Sequence, residues 1–274
     1  MFVLLVFCLA PMLDARKTSR IDTMLKNTRS KNYLRILNGQ DIKFGEYPYV
    51  VILAAFYGTY ITRLCTGSML TEQWGLTAAH CSFLYYKKKN MNVWYANYTL
   101  TPYYSRLYTK IIKMVEHPSF RLLTDTQGRK DLMVNNDICL FLVKNISLKS
   151  FGTVSSVDYG TLTGLPVKYV GGGMMDLKYP YLFTYNQMQF GEASIINCHE
   201  RLRSVSKYII CITPKCSNRL HRPWYGDSGG PLLYDGKIVG VCSFGIESKV
   251  MSLSSYAPVS PYLDWIYDVM HSKT

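Results

Sequence analysis

The chain predicts an all-β fold that ends in a single α-helix, and the prediction rests on three observations. From residue 36 onward, short aliphatic and aromatic runs alternate with turn residues. Only the last stretch of the chain changes to helical spacing. With 48% hydrophobic and 18% charged residues over 274 positions, the composition is that of an ordinary globular protein able to bury a sizeable core.

The elements follow in order. Val50-Val51-Ile52-Leu53, Lys110-Ile111-Ile112, Ile138-Cys139-Leu140-Phe141-Leu142-Val143 and Lys237-Ile238-Val239-Gly240-Val241 read as strands. At the end, Ser260 suits a helix cap and Pro261 its first position, with Leu263, Ile266, Tyr267 and Met270 on one face. The helix is expected to pack on the second half of the domain.

Ahead of the strands lie two segments of different character. The apolar run Phe2 to Ala10 is too short to span a bilayer and reads as the core of a signal peptide. Pro11 makes cleavage after Ala10 unfavourable, so residues 1–15 are assigned to it, with cleavage after Ala15. Residues 16–35 are polar, basic and free of cysteine, as a propeptide released after cleavage is, which leaves 36–274 as the mature domain. The expected location is therefore extracellular. Secretion makes disulfides permissible, and of eight cysteines Cys8 leaves with the signal peptide, so an odd number remains and at least one is unpaired within the chain.

The formal net charge is +13, with Lys87-Lys88-Lys89 as the densest run. Such a run is a solvated loop or a surface for acidic polysaccharide or another acidic partner. No membrane anchor or nucleic-acid motif is recognisable. Neither H-x-x-x-H nor C-x-x-C occurs, and neither metal nor cofactor is expected. His117, His199, His221 and His271 read as surface or loop residues. Asn97-Tyr98-Thr99 and Asn145-Ile146-Ser147 are glycosylation sequons.

Chemistry concentrates in three motifs. Gly226-Asp227-Ser228-Gly229-Gly230-Pro231 puts a serine in a glycine-rich turn, where backbone N–H groups can face its hydroxyl. A serine hydroxyl is a weak nucleophile near neutral pH, so it needs a base and a group that orients the base. Thr77-Ala78-Ala79-His80-Cys81 and Asn136-Asp137-Ile138-Cys139-Leu140 supply those two residue types upstream. With Arg35 and Ile36-Leu37-Asn38-Gly39 ahead of them, these motifs closely resemble the trypsin/chymotrypsin-like secreted serine proteases from Ile36 to the C-terminus.

The resemblance implies two six-stranded antiparallel Greek-key β-barrels, with His80 and Asp137 on the first and Ser228 on the second. It makes Ser228 the nucleophile, His80 the general base and then acid, and Asp137 the residue that orients and stabilises the imidazolium. Gly226 and Ser228 would form the oxyanion hole. Cleavage after Arg35 would free the Ile36 amino group to meet Asp227, the zymogen switch. The resemblance also pairs Cys65 with Cys81 and Cys198 with Cys211. It assigns no partner to Cys139, Cys216 or Cys242, and a Cys216–Cys242 bridge is one arrangement.

Departures from the family come in pairs. Val167 and Tyr234 stand where many relatives have one disulfide, and Trp224 and Ser248 where they have another. Ser243-Phe244-Gly245 is expected to pair with substrate backbone and wall the primary pocket. Arg222 occupies the place where a trypsin-like pocket has its carboxylate, and no acid occurs from Cys211 to Tyr225. Cleavage after Lys or Arg is therefore not expected. Ser254, where a pocket-floor glycine is common, narrows the pocket. An apolar or aromatic preference, and a basic floor that accepts acidic residues, both remain open, and Glu247 near the mouth would favour basic residues. The long segment from His117 to Asp137 is expected to overhang the site.

Two readings follow. One is a serine endopeptidase made as a zymogen, whose partners are a peptide or protein substrate and the protease that cuts after Arg35. The other is a protease-like, non-catalytic binding protein with a remodelled pocket and a basic interaction surface.

Overall fold

Runs of β-branched and aromatic residues form strands because their side chains fill a pleated, half-buried surface. In the computed structural model, which describes residues 39–58, 60–88, 90–123, 133–173, 187–214, 222–223, 225–247 and 252–272, they close two barrels. The expected signal peptide, the propeptide with Arg35, and Ile36 lie outside the described residues, as do Cys8, Cys216, Lys89, His221, Trp224 and Ser248.

The first barrel comprises β2 (Val50–Tyr57), β3 (Tyr60–Met69), β4 (Trp74–Thr77), β5 (Met91–Trp94), β6 (Tyr108–Glu116) and β9 (Cys139–Val143). Its spatial order is β2-β3-β4-β9-β6-β5, so β5 returns beside β2 after two hairpins, a Greek key. Val50 to Phe56 are buried without interruption, because β2 packs on both faces. Register shifts at Leu53/Ala54 and Ile111/Lys113 bend the strands where the sheet must curl to close.

A short strand, β1 (Gln40–Asp41), adds to the edge of the second barrel. That barrel comprises β10 (Pro166–Gly171), β11 (Gln189–Ile196), β12 (Ile210–Pro214), β13 (Pro231–Tyr234), β14 (Lys237–Glu247) and β15 (Ser252–Pro258). The β11–β12 pairing closes it, and β13 returns beside β10 to make a second Greek key. Both barrels thus have the six strands that the resemblance implies. Tyr169 and Tyr256 fill the second core, whereas Trp94, Ile52, Leu53 and Phe141 fill the first. Each fully buried large side chain stabilises the fold by about 1.5–3 kcal/mol.

The segment expected to overhang the site is a β-ribbon: β7 (Arg121–Leu123) pairs with β8 (Met133–Asn135). Val167 and Tyr234 both join the apolar cluster of the second barrel.

The C-terminal helix, α4 (Leu263–His271), follows α1 (His80–Lys88), α2 (Pro102–Ser105) and α3 (Glu200–Val205). Two details differ from the sequence expectation. Ser260 does not cap the helix: the chain enters through a 3-10 turn at Ser260–Tyr262, and Ser260 Oγ instead accepts from the Tyr159 N–H at 3.2 Å. Tyr267 is exposed, and Ile266, Val269 and Met270 make the inward face. The helix joins the larger core cluster, which holds side chains of both barrels, among them Leu53 and Leu140 of the first and Leu233, Ile238 and Val241 of the second. There the rings of Tyr262 and Trp265 meet His117 edge-on at 5.0 and 5.1 Å. His117 is consequently half-buried and packed, not a simple surface residue. Among the described residues, no helix is long and apolar enough to cross a membrane.

Candidate active site

His80 opens α1, directly after β4, and two buried alanines bring it there. Asp137 sits in the tight turn between β8 and β9. Asn136 turns the chain with φ 52°, a left-handed conformation that asparagine tolerates. Its side chain is held at both ends, Nδ2 donating to Ser119 O at 2.8 Å and Oδ1 accepting from Tyr262 Oη–H at 2.9 Å.

The Asp137 carboxylate is 2% exposed and accepts three hydrogen bonds. His80 N–H donates to Oδ1 at 2.8 Å, His80 Nδ1 to Oδ2 at 2.8 Å, and Ser243 Oγ to Oδ2 at 2.5 Å. Burial pushes the Asp137 carboxyl up, but the His80 charge and the donated hydrogen bonds outweigh it and hold the group below its ordinary value. Burial likewise pushes His80 down, and the adjacent Asp137 charge and hydrogen bond reverse this and raise it. A neutral His80 that donates from Nδ1 carries its lone pair on Nε2.

Ser228 is half-exposed in a turn where Gly226 (φ 88°) and Gly229 (φ 82°) take conformations that L side chains rarely adopt. A Cβ on Gly229 would lie 2.0 Å from Thr77 Oγ1 and 2.3 Å from Thr66 O, so the turn is pressed against the first barrel. Thr66 grips it. Its N–H donates to Ser228 O at 2.8 Å, and its hydroxyl donates to Gly226 O at 2.8 Å and accepts from Gly172 N–H at 3.0 Å. Thr77 Oγ1 in turn donates to Thr66 O at 2.8 Å. Among the described residues, the N–H groups of Gly226 and Ser228 donate to no protein acceptor, and no hydrogen bond joins His80 Nε2 to Ser228 Oγ. Hydrogen bonds of this kind commonly tighten only when substrate binds.

Asp227 is buried and accepts from Gly173 N–H at 2.9 Å. A Cβ on Gly171 would meet its Oδ1 at 2.1 Å, so the glycine run is what lets this carboxylate lie against the backbone. Ile36 is outside the described residues.

Both disulfides that the resemblance implies are present, Cys65–Cys81 and Cys198–Cys211. The sulfurs of the first lie near His80, but joined in a disulfide they offer no thiolate to a metal. Cys242 is a buried free thiol, so it forms no bridge with Cys216. It shares a hydrogen bond with Tyr256, and burial raises its pKa. Cys139 is also free and buried.

The expected substrate residues separate into two groups. Gly245 on β14 lies opposite Ser254 on β15, so these two are neighbours. Phe244 is half-buried, and its carbonyl accepts from Ser255 Oγ at 2.6 Å. Ser243 turns its hydroxyl to Asp137, a contact that sequence reasoning missed. Arg222 is half-buried, and residues 215–221 before it lie outside the described set. Thr66 and Asn136 were missed as well, since a threonine after a cysteine carries no signal of its own. Asn97, half-buried, has its Oδ1 held by the Thr99 N–H and hydroxyl at 3.0 and 2.9 Å, and Asn145 is exposed.

Comparison with known proteins agrees with this architecture. The model of the family Trypsin matches residues 36–266. Chymotrypsin-2 of Vespa crabro is 30% identical over 84% of this chain and 98% of the wasp protein. Serine protease SP24D of Anopheles gambiae is 26% identical, covering 86% of this chain and 81% of its own length. Trypsin V-A of Rattus norvegicus is 26% identical over 86% of this chain and 89% of the rat protein. With a matching family model over most of its length and two six-stranded barrels, the chain belongs to the trypsin family of serine proteases.

Proposed function

We propose that this protein is a secreted serine endopeptidase, made as a zymogen and activated by cleavage after Arg35, which hydrolyses peptide bonds through Ser228, His80 and Asp137. One observation carries the reading. A buried carboxylate accepts a hydrogen bond from His80 Nδ1–H, which leaves Nε2 as the basic nitrogen, in the fold where the glycine-strained Ser228 turn is bonded to β3.

In that mechanism Ser228 Oγ attacks the scissile carbonyl carbon while its proton passes to His80 Nε2. The oxyanion takes the N–H groups of Gly226 and Ser228, which have no acceptor among the described residues and are worth about 3 kcal/mol each in such sites. The imidazolium, stabilised by Asp137, then protonates the leaving amine. Water repeats the sequence on the acyl ester, returning its proton through Nε2 and releasing the acid.

Activation would let the Ile36 ammonium meet the buried Asp227 carboxylate, for which an opposite charge offsets desolvation. Substrate choice departs from trypsin. With Arg222 in place of a pocket carboxylate and no acid from Cys211 to Tyr225, the pocket disfavours Lys and Arg. Residues 1–15 and 16–35 act as signal peptide and propeptide, and Asn97 and Asn145 as glycan acceptors.

The test uses protein cut after Arg35, with Ile36 verified as its amino terminus. It combines labelling by a fluorophosphonate with cleavage of a diverse peptide library, beside a Ser228→Ala control. Labelling and cleavage that vanish in the control support the reading, and residues other than Lys and Arg should precede the cuts. Absence of both from the processed protein overturns it in favour of a non-catalytic binding protein.

A further inference from the structure

The sequence from Gln73 to Val115 contains no aspartate or glutamate, and it carries six lysines and arginines. Glu116 ends this stretch, and its carboxylate accepts a hydrogen bond from Ser82. Within this stretch Arg106 and Lys110 have no acidic neighbour in sequence nearer than Glu116, and the segment around them is rich in exposed aromatic rings.

That part is a built face. Phe56 at the end of β2 packs against Tyr103 at 5.4 Å and Tyr108 at 5.0 Å, and those two rings lie 6.2 Å apart. Tyr103 belongs to α2, whose first turn is capped by Thr101 and which ends in a left-handed Arg106. Its hydroxyl donates to Gly58 O at 2.5 Å, which ties α2 to the β2–β3 turn. Around this anchor, Tyr104 is 86% exposed, and Tyr108, Lys110 and Ile112 point outward at every second position of β6. Arg106 is exposed beside them.

We infer that this face, formed by the end of β2 with Gly58, α2 and the outer side of β6, is a docking surface for an acidic segment of a protein partner. The segment would carry aromatic or aliphatic residues between its carboxylates. Charge complementarity selects acids, since Arg106 and Lys110 have no carboxylate nearby in sequence. The tyrosines favour a peptide, because tyrosine and arginine dominate the binding energy of protein interfaces. The pinned geometry of α2 means that little ordering entropy is lost on binding.

The inference is independent of chemistry at Ser228, so its failure is read separately from loss of activity. Binding of a fluorescent peptide in which aspartate and glutamate alternate with phenylalanine and isoleucine is measured by anisotropy, with a heparin oligosaccharide as a second probe. Arg106→Glu with Lys110→Glu should weaken peptide binding about tenfold or more. Tyr104→Ser should weaken it severalfold without changing its salt dependence, since the ring carries no charge. Lys168→Glu with Lys237→Glu makes the same charge change on the second barrel and should leave it intact. Thermal melting checks that every variant folds. No saturable peptide binding, or an equal loss in the second-barrel pair, overturns the proposal. Heparin binding that ignores Tyr104→Ser, with none to the peptide, also overturns it and marks a polysaccharide surface instead.

Discussion

Asp137, carried by the first barrel, is buried and held by three hydrogen bonds, two from His80 of the same barrel and one from Ser243 on β14 of the second. On the proposed pocket side of the second barrel the sequence carries Arg222 where the resemblance implies a carboxylate, Ser254 where it implies glycine, and Trp224 and Ser248 where it implies a disulfide. The contrast teaches that proton transfer tolerates one arrangement of a few atoms, whereas substrate choice needs only a cavity of suitable shape and charge.

Asp137→Asn should break the proton-transfer side most severely, lowering kcat by about 10⁴, the loss known for this exchange in the Ser-His-Asp mechanism. It should also move the acid limb of the pH–rate profile. In the native protein His80 is raised above its ordinary value, so its base form appears only as pH climbs through that raised value, and the limb lies above about 6.5. Without the Asp137 charge, burial dominates and the limb should fall below about 6.5. A limb that stays in place would separate Asp137 from the base.

Stability follows the same pair with opposite signs. Asp137 is depressed, so its contribution is present above about pH 3.9 and is lost as pH falls through the lower folded value. His80 is raised, so its contribution is full below about pH 6.5 and is lost as pH rises through the folded value.

Removing the Cys65–Cys81 bridge, which spans 16 residues beside His80, should cost about 3 kcal/mol in the loop-entropy picture. Calorimetry should then record a melting temperature lower by roughly 5–10 °C. Next in size is Ser243→Ala, which deletes a donor to the carboxylate and should reduce kcat/KM by about tenfold to a hundredfold, with KM little changed. An equal rise in KM would assign Ser243 to substrate contact alone.

On the variable side, Arg222→Ser should alter the order of preferred residues before the cut by about tenfold, with the rate of fluorophosphonate labelling nearly constant. If labelling falls in parallel, the pocket and the nucleophile turn are mechanically coupled. Tyr262→Phe is the mildest change. It removes the hydroxyl that holds Asn136 and should lower stability by about 1 kcal/mol, measured by denaturant unfolding.

Motifs made the candidate site legible because each needs an unusual residue in a fixed local setting: glycines around Ser228, small residues before His80, asparagine before Asp137. The strands were legible as apolar runs, and both implied disulfides are present. The helix face was misjudged at Tyr267 because spacing places residues on a face without saying which neighbour waits there. Ser260 matched a cap by type, yet its hydroxyl found Tyr159, a hundred positions away in the chain. Thr66 could not have been found, since its role depends on meeting the Ser228 turn from another barrel.

The amino-acid sequence by itself determined the fold class, the family motifs and the strong positive charge, since these are properties of local pattern and composition. Tertiary structure alone decided which hydroxyl orients Asp137, which threonine grips the nucleophile turn, that Cys242 stays a free thiol, and where aromatic rings and cations share a face. Those contacts join residues far apart in sequence. Hydrogen bonds and packing act over a few ångströms of space, and only barrel closure brings such residues within that range.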